Sequence, residues 1–580
     1  MSFLLYGNTI SGDFVYDDQY LDHLREFNQI WQVWRQPFLA DDLTAGLFRP
    51  LTSFSFALNF ALFGSSPISF HIINIILNGI VTFLVFLLSQ KLFSHWVLSL
   101  FIALFYAFLP IHSEAVANIK SREEILAACF GILSWLVLIS ATEGKRINYL
   151  KVCLSSLLFI LAVLSKELII ALPVLFVLIL IFRKKFNWLN LGKIIAIFIF
   201  ITSLYMIWRF LILGEYAFGR DKNFFVINPL SLTDFVTRIW TSFKIAFIYI
   251  SKTFIPWNLS AAYHYKELTP INNIFESWQA MGGLIFLIVL FGLAVMKRLR
   301  NSPIGVGALT FLVSYLVISK IIFKEGDILA ERWMYFPSIG LSFIGGFLLY
   351  FFFIKFIKIK WLGIAALVTI LLIYSGVLIN RNLVWLSEES LFKSMVKDAP
   401  LSVHGHQLLA QWYLERNLLN EAKKETEVAF NIYQDHPPLL NTMGNIALEE
   451  GDFKLAEEMF LKAIKIAPEV TTAYQNAANL YYKTGQYEKA EKVLEYLVTH
   501  WTKPRIGDYM DYALVLAKLG KYQTSLEVIN RKLMPPTNPR VKLLLAINYY
   551  KLGNIEEAKK YFDWDSSLSE EEKLKILQEF

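Results

Sequence analysis

Long runs of apolar residues alternate with short polar connections over roughly the first 380 residues of the chain. A run of about twenty mostly apolar residues is enough to cross the hydrocarbon core of a bilayer. The pattern therefore predicts a polytopic bundle of transmembrane helices. Candidate spans lie near 70–90, 96–111, 124–141, 149–165, 167–182, 191–213, 279–296, 304–323, 334–354 and 361–379.

The segment 235–255 is also apolar, but it carries Arg238, Lys244 and Lys252. A crossing at this point would move the basic residues near 297–300 to the other side of the membrane. We therefore predict an amphipathic helix that lies at the interface, or a re-entrant helix.

The pattern changes after residue 400, where glycines recur at a nearly constant spacing. Gly451, Gly485, Gly520 and Gly553 are separated by 34, 35 and 33 residues, and Asn417 takes the same place one repeat earlier. In the best copy the small and aromatic positions fit the tetratricopeptide (TPR) spacing; they are Gly444, Gly451, Ala456, Phe460, Ala463 and Pro468. About five stacked helical hairpins are predicted, and such arrays present a concave surface to a peptide or protein.

Composition supports a membrane domain followed by a soluble one. Hydrophobic residues make up 56% of the chain and charged residues 18%, with a mean hydropathy of +0.46. Ordinary soluble domains contain about 45–50% apolar and about 25% charged residues. The net charge of +7 does not indicate nucleic acid, because much of the excess lies in loops between apolar runs. Cys129 and Cys153 lie inside apolar runs, so neither a disulfide framework nor a zinc site is predicted.

Basic clusters in four short connections predict the orientation of the bundle. By the positive-inside rule these connections face the cytoplasm; they hold Lys145 and Arg146, Arg183 to Lys185, Lys297 to Arg300, and Lys355 to Lys360. Alternation then places 1–66, 112–123, 214–277, 324–333 and everything after the last span outside. A multi-pass protein of the plasma or inner membrane, if prokaryotic, is expected.

Three regions follow from this organisation. Residues 1–66 form an extracytoplasmic loop with an acidic pair, residues 67–382 form the transmembrane catalytic domain, and residues 383–580 form extracytoplasmic TPR repeats. Each boundary is a prediction from the change in pattern.

The acidic pair, Asp17 and Asp18, is the first candidate for chemistry. An enzyme acting outside the cytoplasm cannot draw on cytoplasmic nucleotide sugars, whereas polyprenyl-phosphate sugars are available in the membrane. One carboxylate could take the proton of an acceptor hydroxyl, and the second could hold a hydrogen-bond donor. The leaving lipid phosphate needs cations, and Arg49, Arg122, Lys166 and Arg332 are candidates. A divalent metal is possible but not required, since two adjacent side chains make a poor cage.

The motifs "FVYDD", "FRPLTSFSFALNFALFG", "SFHIINIILN", "PIHSEAVANIKSREE", "LSKE" and "ERWMYFPSIG" occur in this order before the repeats. In this combination the chain resembles the transmembrane and TPR-containing protein O-mannosyltransferases of the GT-C superfamily. The resemblance implies an all-α GT-C bundle followed by a TPR solenoid, with Asp17 as the base and Asp18 as its supporting neighbour. It also implies a substrate-binding set consisting of Arg49, His71, Asn74, His112, Glu114, Arg122, Lys166, Glu167, Glu331 and Arg332. For His71 and Asn74, which lie three residues apart, helix packing is an equally good explanation.

The sequence thus predicts a membrane glycosyltransferase. It would move mannose or another hexose from a polyprenyl-phosphate carrier to an acceptor hydroxyl, on protein Ser or Thr, with the TPR groove recruiting the acceptor. One alternative is an enzyme resembling an O-antigen ligase or oligosaccharide polymerase. A second alternative is a non-catalytic, membrane-anchored TPR scaffold.

Overall fold

The computed structural model describes residues 1–25, 30–38, 46–144, 146–183, 188–218, 225–324, 326–356, 360–501, 504–565 and 567–580. Over these ranges the regular secondary structure is helical, and no strand occurs. The chain forms two compact units, Met1–Gly405 and His406–Phe580. The predicted class, an all-α chain with an apolar helix bundle followed by helical repeats, is confirmed.

The first unit contains fifteen α-helices within the described residues. They are α1 (Ser2–Tyr6), α2 (Pro50–Phe63), α3 (Pro67–Phe93), α4 (Trp96–Ala107), α5 (Ser113–Ala117), α6 (Arg122–Thr142), α7 (Tyr149–Ser165), α8 (Leu172–Arg183), α9 (Trp188–Leu213), α10 (Phe235–Phe254), α11 (Trp278–Val295), α12 (Pro303–Ile318), α13 (Ser338–Tyr350), α14 (Lys360–Asn382) and α15 (Glu388–Asp398). Short helical turns lie between them, among them Tyr16–Leu24, Glu167–Ala171 and Glu331–Met334.

Every predicted span coincides with a helix or a bent helix pair. In the described part of the chain, five helices are long and apolar enough to cross a membrane, or six if α4 and Pro110–Ala117, bent by 54°, form one span. The other four predicted spans are shorter apolar helices of 10–17 residues. The sequence pattern missed α2, which forms inside the first predicted loop. Segment 235–255 is a single helix, α10, and its interfacial position stays a prediction.

Proline and glycine explain where several of these helices begin and how closely they pack. α2, α3 and α12 each begin with proline at the first helical position, where the missing N–H has no intrahelical partner to lose. α12 and α13 approach closely because Gly307 and Gly340 face each other, and a Cβ on either would meet the other's carbonyl oxygen. Small residues permit this backbone contact in a bundle.

Some of the basic residues used to predict orientation lie outside the described residues; they are Lys145, Lys184, Lys185 and Lys358. Asp41 and Asp42, a second acidic pair in the sequence, also lie outside them. The orientation of the bundle therefore stays a prediction.

The second unit is built from antiparallel helix pairs. α16 (Val403–Leu414) leads into it, followed by α17 (Leu419–Ile432), α18 (Pro437–Glu449), α19 (Phe453–Ile466), α20 (Thr471–Lys483), α21 (Tyr487–His500), α22 (Ile506–Lys518), α23 (Tyr522–Lys532), α24 (Pro539–Lys551), α25 (Ile555–Lys559) and α26 (Glu570–Glu579). The periodic glycines lie in the turns of the pairs with positive φ, from 72° at Gly485 to 82° at Gly553. Because glycine adopts this conformation without steric cost, the period marks the turns.

Gly444 on α18 lies against the ring of Phe460 on α19, and a Cβ at this glycine would overlap the ring. Gly444→Val is therefore expected to destabilise this helix pair by about 1–3 kcal/mol through overpacking. Hydrogen exchange of α18 and α19 peptides in the intact chain measures the effect. Gly507→Ala on α22 is the matched control, because a Cβ there meets no atom within 4 Å. Equal exchange in both variants would contradict the close packing of Gly444 against Phe460.

Candidate active site

The two carboxylates of the acidic pair have different surroundings. Asp18 is buried, and its carboxylate accepts backbone N–H groups from Val15 at 3.0 Å and Lys120 at 2.8 Å. Asp17 keeps 23% of its side chain exposed and pairs with the Lys120 ammonium at 2.6 Å. Asp18 thus joins the Tyr16–Leu24 turn to the segment before α6, while Asp17 stays accessible to a ligand.

Burial raises the pKa of Asp18 to about 7, although its two backbone hydrogen bonds favour the charged form. The folded segment therefore binds this proton more tightly than the unfolded chain does. Its stability is largest below the ordinary pKa of an aspartate and is lost as the pH rises from about 4 through about 7.

We expect local opening of residues 12–25 to become more frequent as the pH rises from about 4 to about 7. Hydrogen exchange corrected for its intrinsic pH dependence measures this opening. Asp18→Asn is expected to remove the pH dependence, because the amide does not titrate. An unchanged pH dependence in this variant would rule out Asp18 as its cause.

Lys120 was not among the residues selected from the sequence, although it lies in the quoted "ANIKSREE" stretch. Its ammonium also lies 5.9 Å from the ring centre of Tyr20. The signal that could have identified Lys120 is its position as a cation in the same predicted loop as Glu114 and Arg122. Among the described residues, no group of three or more His, Cys, Asp or Glu side chains is arranged to hold a metal ion.

Arg332 interacts electrostatically with Asp17 and is held by two other carboxylates. Its guanidinium pairs with Glu114 and with Asp327, the latter at 2.7 Å, and its backbone N–H donates to Glu114 at 2.9 Å. Burial opposes its charge, but the carboxylates of Glu114, Asp327 and Asp17 together raise its pKa above the ordinary value. Arg332 is therefore a permanent cation within electrostatic reach of Asp17.

A small cavity lies beside the next residue, Trp333. Its polar wall is formed by Glu124 and Lys166, and its remaining walls are mainly apolar, with Ile169, Trp333 and Phe336 among them. A second small space extends to Leu175 on α8, and it shares the walls Leu168, Ile169, Ser314 and Phe336 with the first. The first space combines a charged wall with apolar walls, a lining that suits a ligand with a polar head and an apolar body.

Lys166 belongs to a buried network of alternating charges. Its ammonium contacts Glu123 at 2.7 Å and Glu124 at 2.5 Å. Arg49 contacts Glu123 and Glu167, each at 2.5 Å. The predicted residues Arg49, Lys166 and Glu167 therefore meet, joined by two glutamates that the sequence analysis quoted but did not single out. A phosphate-binding role for the two cations stays a prediction.

Arg122 forms a separate cluster that joins α2, α3 and α6. It donates to Asn74 at 2.7 Å and to Asn59 at 2.9 Å, and its guanidinium lies 4.5 Å from the ring centre of Phe56. Since Arg122 and Asn74 are both fully buried, this geometry favours helix packing for Asn74. His71 is buried next to Gly12, where a Cβ would lie 3.1 Å from its Nε2 atom.

The two remaining predicted residues are also buried in specific contacts. His112 bonds to Ser338 at 2.7 Å. Glu331 accepts from the Tyr263 hydroxyl at 2.6 Å and lies 3.5 Å from Arg381. Burial raises the pKa of Glu331. These contacts position the segments around Arg332, while a direct substrate contact for either residue stays a prediction.

Each of the two parts of the chain matches a different kind of known protein family. A family model described as dolichyl-phosphate-mannose-protein mannosyltransferase matches residues 49–208, and tetratricopeptide repeat models match residues 447–498 and 539–563. The first match includes the predicted residues from Arg49 to Glu167, while the acidic pair lies before it.

Curated relatives share both parts. The chain is 25% identical over 439 residues to Protein O-mannosyl-transferase F38B6.6 of Caenorhabditis elegans, covering 73% of this chain and 60% of the relative. It is 24% identical to Protein O-mannosyl-transferase TMTC1 of Homo sapiens, covering 78% and 57%, and 26% identical to human TMTC4, covering 74% and 64%. The chain thus spans about three fifths of the length of these relatives. The comparisons confirm the predicted resemblance to TPR-containing protein O-mannosyltransferases.

Proposed function

We propose that the chain is a membrane glycosyltransferase that moves a hexose, with mannose the first candidate, from a polyprenyl-phosphate carrier to a protein Ser or Thr hydroxyl. The observation that carries the proposal is that Asp17, paired with Lys120, lies within electrostatic reach of Arg332, whose neighbour Trp333 lines a largely apolar cavity with Lys166 in its wall. The names of the relatives support the same class of reaction.

In the proposed reaction the acceptor hydroxyl oxygen attacks the anomeric carbon of the sugar. Asp17 accepts the hydroxyl proton as the new C–O bond forms. The bond between the anomeric carbon and the phosphate oxygen breaks, and its electron pair leaves with the lipid phosphate. Attack from the face opposite the phosphate inverts the anomeric carbon.

The leaving phosphate needs positive charge close to the breaking bond. Arg332 is suited to this role because its charge is permanent and its neighbour Trp333 lines the cavity. Lys166 offers a second cation at the polar wall. Guanidinium and ammonium groups bind phosphate through charge-assisted hydrogen bonds.

The apolar walls suit the isoprenoid part of the donor. The cavity lies between the Glu167–Ala171 turn and α12, both among the shorter apolar helical segments of the bundle. A chain entering from the bilayer would contact Leu168, Ile169 and Phe336. This arrangement favours a lipid-linked donor over a soluble nucleotide sugar.

The purified chain in lipid nanodiscs tests the proposal directly. We expect transfer to a Ser/Thr peptide from polyprenyl-phosphate mannose or from another polyprenyl-phosphate hexose, measured by intact mass, and none from GDP-mannose. Transfer from GDP-mannose would contradict the donor class. Transfer only to a glycan acceptor would favour the ligase or polymerase alternative, and peptide binding without any transfer would favour the scaffold.

Filling the cavity is expected to weaken donor use. Ser314→Trp places a large ring in a wall shared by both spaces, so we expect the KM for the lipid donor to rise at least about tenfold, a loss of about 1.4 kcal/mol. Leu316→Trp is the matched control, because Leu316 lies on the same helix and is exposed. Equal KM values in the two variants would exclude the cavity as the donor site.

The proposed site faces outside the cytoplasm, as the charge pattern predicts. Cysteine labelling in intact cells tests this orientation. A membrane-impermeant maleimide is expected to label Ser11→Cys directly and Asn301→Cys only after permeabilisation. Ser11 and Asn301 are both exposed in the structure. The reverse pattern would place the acidic pair in the cytoplasm and contradict the proposed topology.

A further inference from the structure

Tyr16, directly before Asp17, has an unusual backbone conformation. Its φ is +54°, in the left-handed region that bulky aromatic residues seldom adopt. Such a conformation persists where surrounding contacts determine it, and these positions often lie at functional sites. The contacts of the Tyr16 side chain therefore bear on the placement of Asp17.

The Tyr16 ring is enclosed by a segment more than 370 residues further along the chain. Its hydroxyl lies 3.1 Å from Nε2 of His404, and its ring packs edge-on against Phe392 with 6.3 Å between centres. His404 in turn packs against His264, with 5.0 Å between ring centres. Burial raises the pKa of the Tyr16 hydroxyl far above its usual value, and the charge of Asp17 adds to this effect, so the phenol stays neutral.

The chain on both sides of Tyr16 is fixed by hydrogen bonds. The backbone N–H of Asp13 donates to the carbonyl of Leu386 at 3.0 Å. On the other side, the carboxylate of Asp18 accepts the N–H groups of Val15 and Lys120. Tyr16 and Asp17 lie between these two anchors.

We infer that Tyr16, through its hydrogen bond to His404, is a positioning residue that directs the carboxylate of Asp17 towards Lys120 and Arg332. The inference rests on the proposed function, because the base is meaningful only if transfer occurs. Tyr16 itself is assigned no contact with the donor or the acceptor.

Kinetics of matched variants test the inference. Tyr16→Phe keeps the ring but removes the hydroxyl, so we expect kcat to fall about tenfold while the KM for the donor stays within twofold. His404→Leu is expected to cause the same loss. The double variant is expected to show no further loss, because both changes remove the same hydrogen bond between Tyr16 and His404. His404→Gln retains a polar partner for the hydroxyl and is expected to restore at least half of the activity.

Tyr149→Phe is the control, since it also removes one tyrosine hydrogen bond, to Asn190 at 3.2 Å. It is expected to leave kcat unchanged. A Tyr16→Phe variant with full activity, or additive losses in the double variant, would overturn the inference.

A second measurement does not require activity. In a Cys153→Ser background, the thiol of Asp17→Cys is expected to react with a charged thiosulfonate reagent at least threefold faster when Tyr16→Phe is added, because its direction is no longer fixed. Equal rates would overturn the inference. If wild-type chain transfers no sugar, the proposed function fails, whereas the labelling rates still decide whether Tyr16 positions residue 17.

Discussion

Asp17→Asn is expected to lower the rate of sugar transfer at least about 10²-fold, the usual contribution of a general base. The amide keeps the size of the side chain but cannot take the acceptor proton. Binding of the donor should change little, so the loss is expected in kcat. Single-turnover transfer from polyprenyl-phosphate mannose to a Ser/Thr peptide measures it.

Asp13→Asn is the matched control for this prediction. Asp13 lies four residues earlier in the same segment, and it is exposed. We expect its activity to stay within about threefold of wild type, since the same amide change then leaves the base in place. Equal turnover of wild type and Asp17→Asn would refute the assignment of the base.

Glu123→Gln is expected to destabilise the bundle by about 3–5 kcal/mol, because it leaves two buried cations with an incomplete set of partners. Glu123 bonds to Arg49 at 2.5 Å and to Lys166 at 2.7 Å, and all three side chains are buried. Thermal unfolding of the purified chain in detergent, at matched lipid content, measures the change.

Glu389→Gln provides the comparison for a solvent-exposed pair. Glu389 contacts Lys393 at 2.6 Å, but about half of each side chain is exposed. Exposed pairs contribute about 0–1 kcal/mol, so little change in the unfolding temperature is expected. Similar shifts in both variants would show that burial does not determine the strength of the Glu123 interactions.

The helices and the repeats were predictable because their signals are local. Each span needs only a continuous apolar run, and each repeat turn is marked by a glycine such as Gly485. α2 was missed because its fourteen residues are shorter than a span and follow a polar stretch. The helix could be recognised only in the fold, where α2 packs against α7 and the Tyr16–Leu24 turn.

The site was predictable in part. The sequence indicated the acidic pair and Arg332, but the link between Asp18 and Lys120 joins residues 102 positions apart. The pairing of Arg49 with Glu123 and Glu167 likewise depends on the packing of three segments that are distant in the sequence. Such partners cannot be chosen from spacing alone, because many charged residues in the loops were equally available.

The resemblance implied different roles for Asp17 and Asp18, and the fold supplies a physical difference between them. In the sequence the two residues are equivalent members of a common dipeptide. In the structure one is buried on two backbone N–H groups, while the other remains partly exposed beside Lys120 and Arg332. Accessibility, rather than residue type, distinguishes the proposed base from the residue that anchors its segment.

The position of the bound donor tests the account most directly. A polyprenyl-phosphate sugar with a photoreactive group at the first isoprene unit should be cross-linked to the intact chain and mapped by mass spectrometry. We predict labelling of the cavity segments 166–175 and 313–318, competed by unlabelled polyprenyl-phosphate mannose and reduced by Ser314→Trp. Competed labelling confined to other helices, with these segments unmodified, would contradict the placement of the donor beside Asp17 and Arg332.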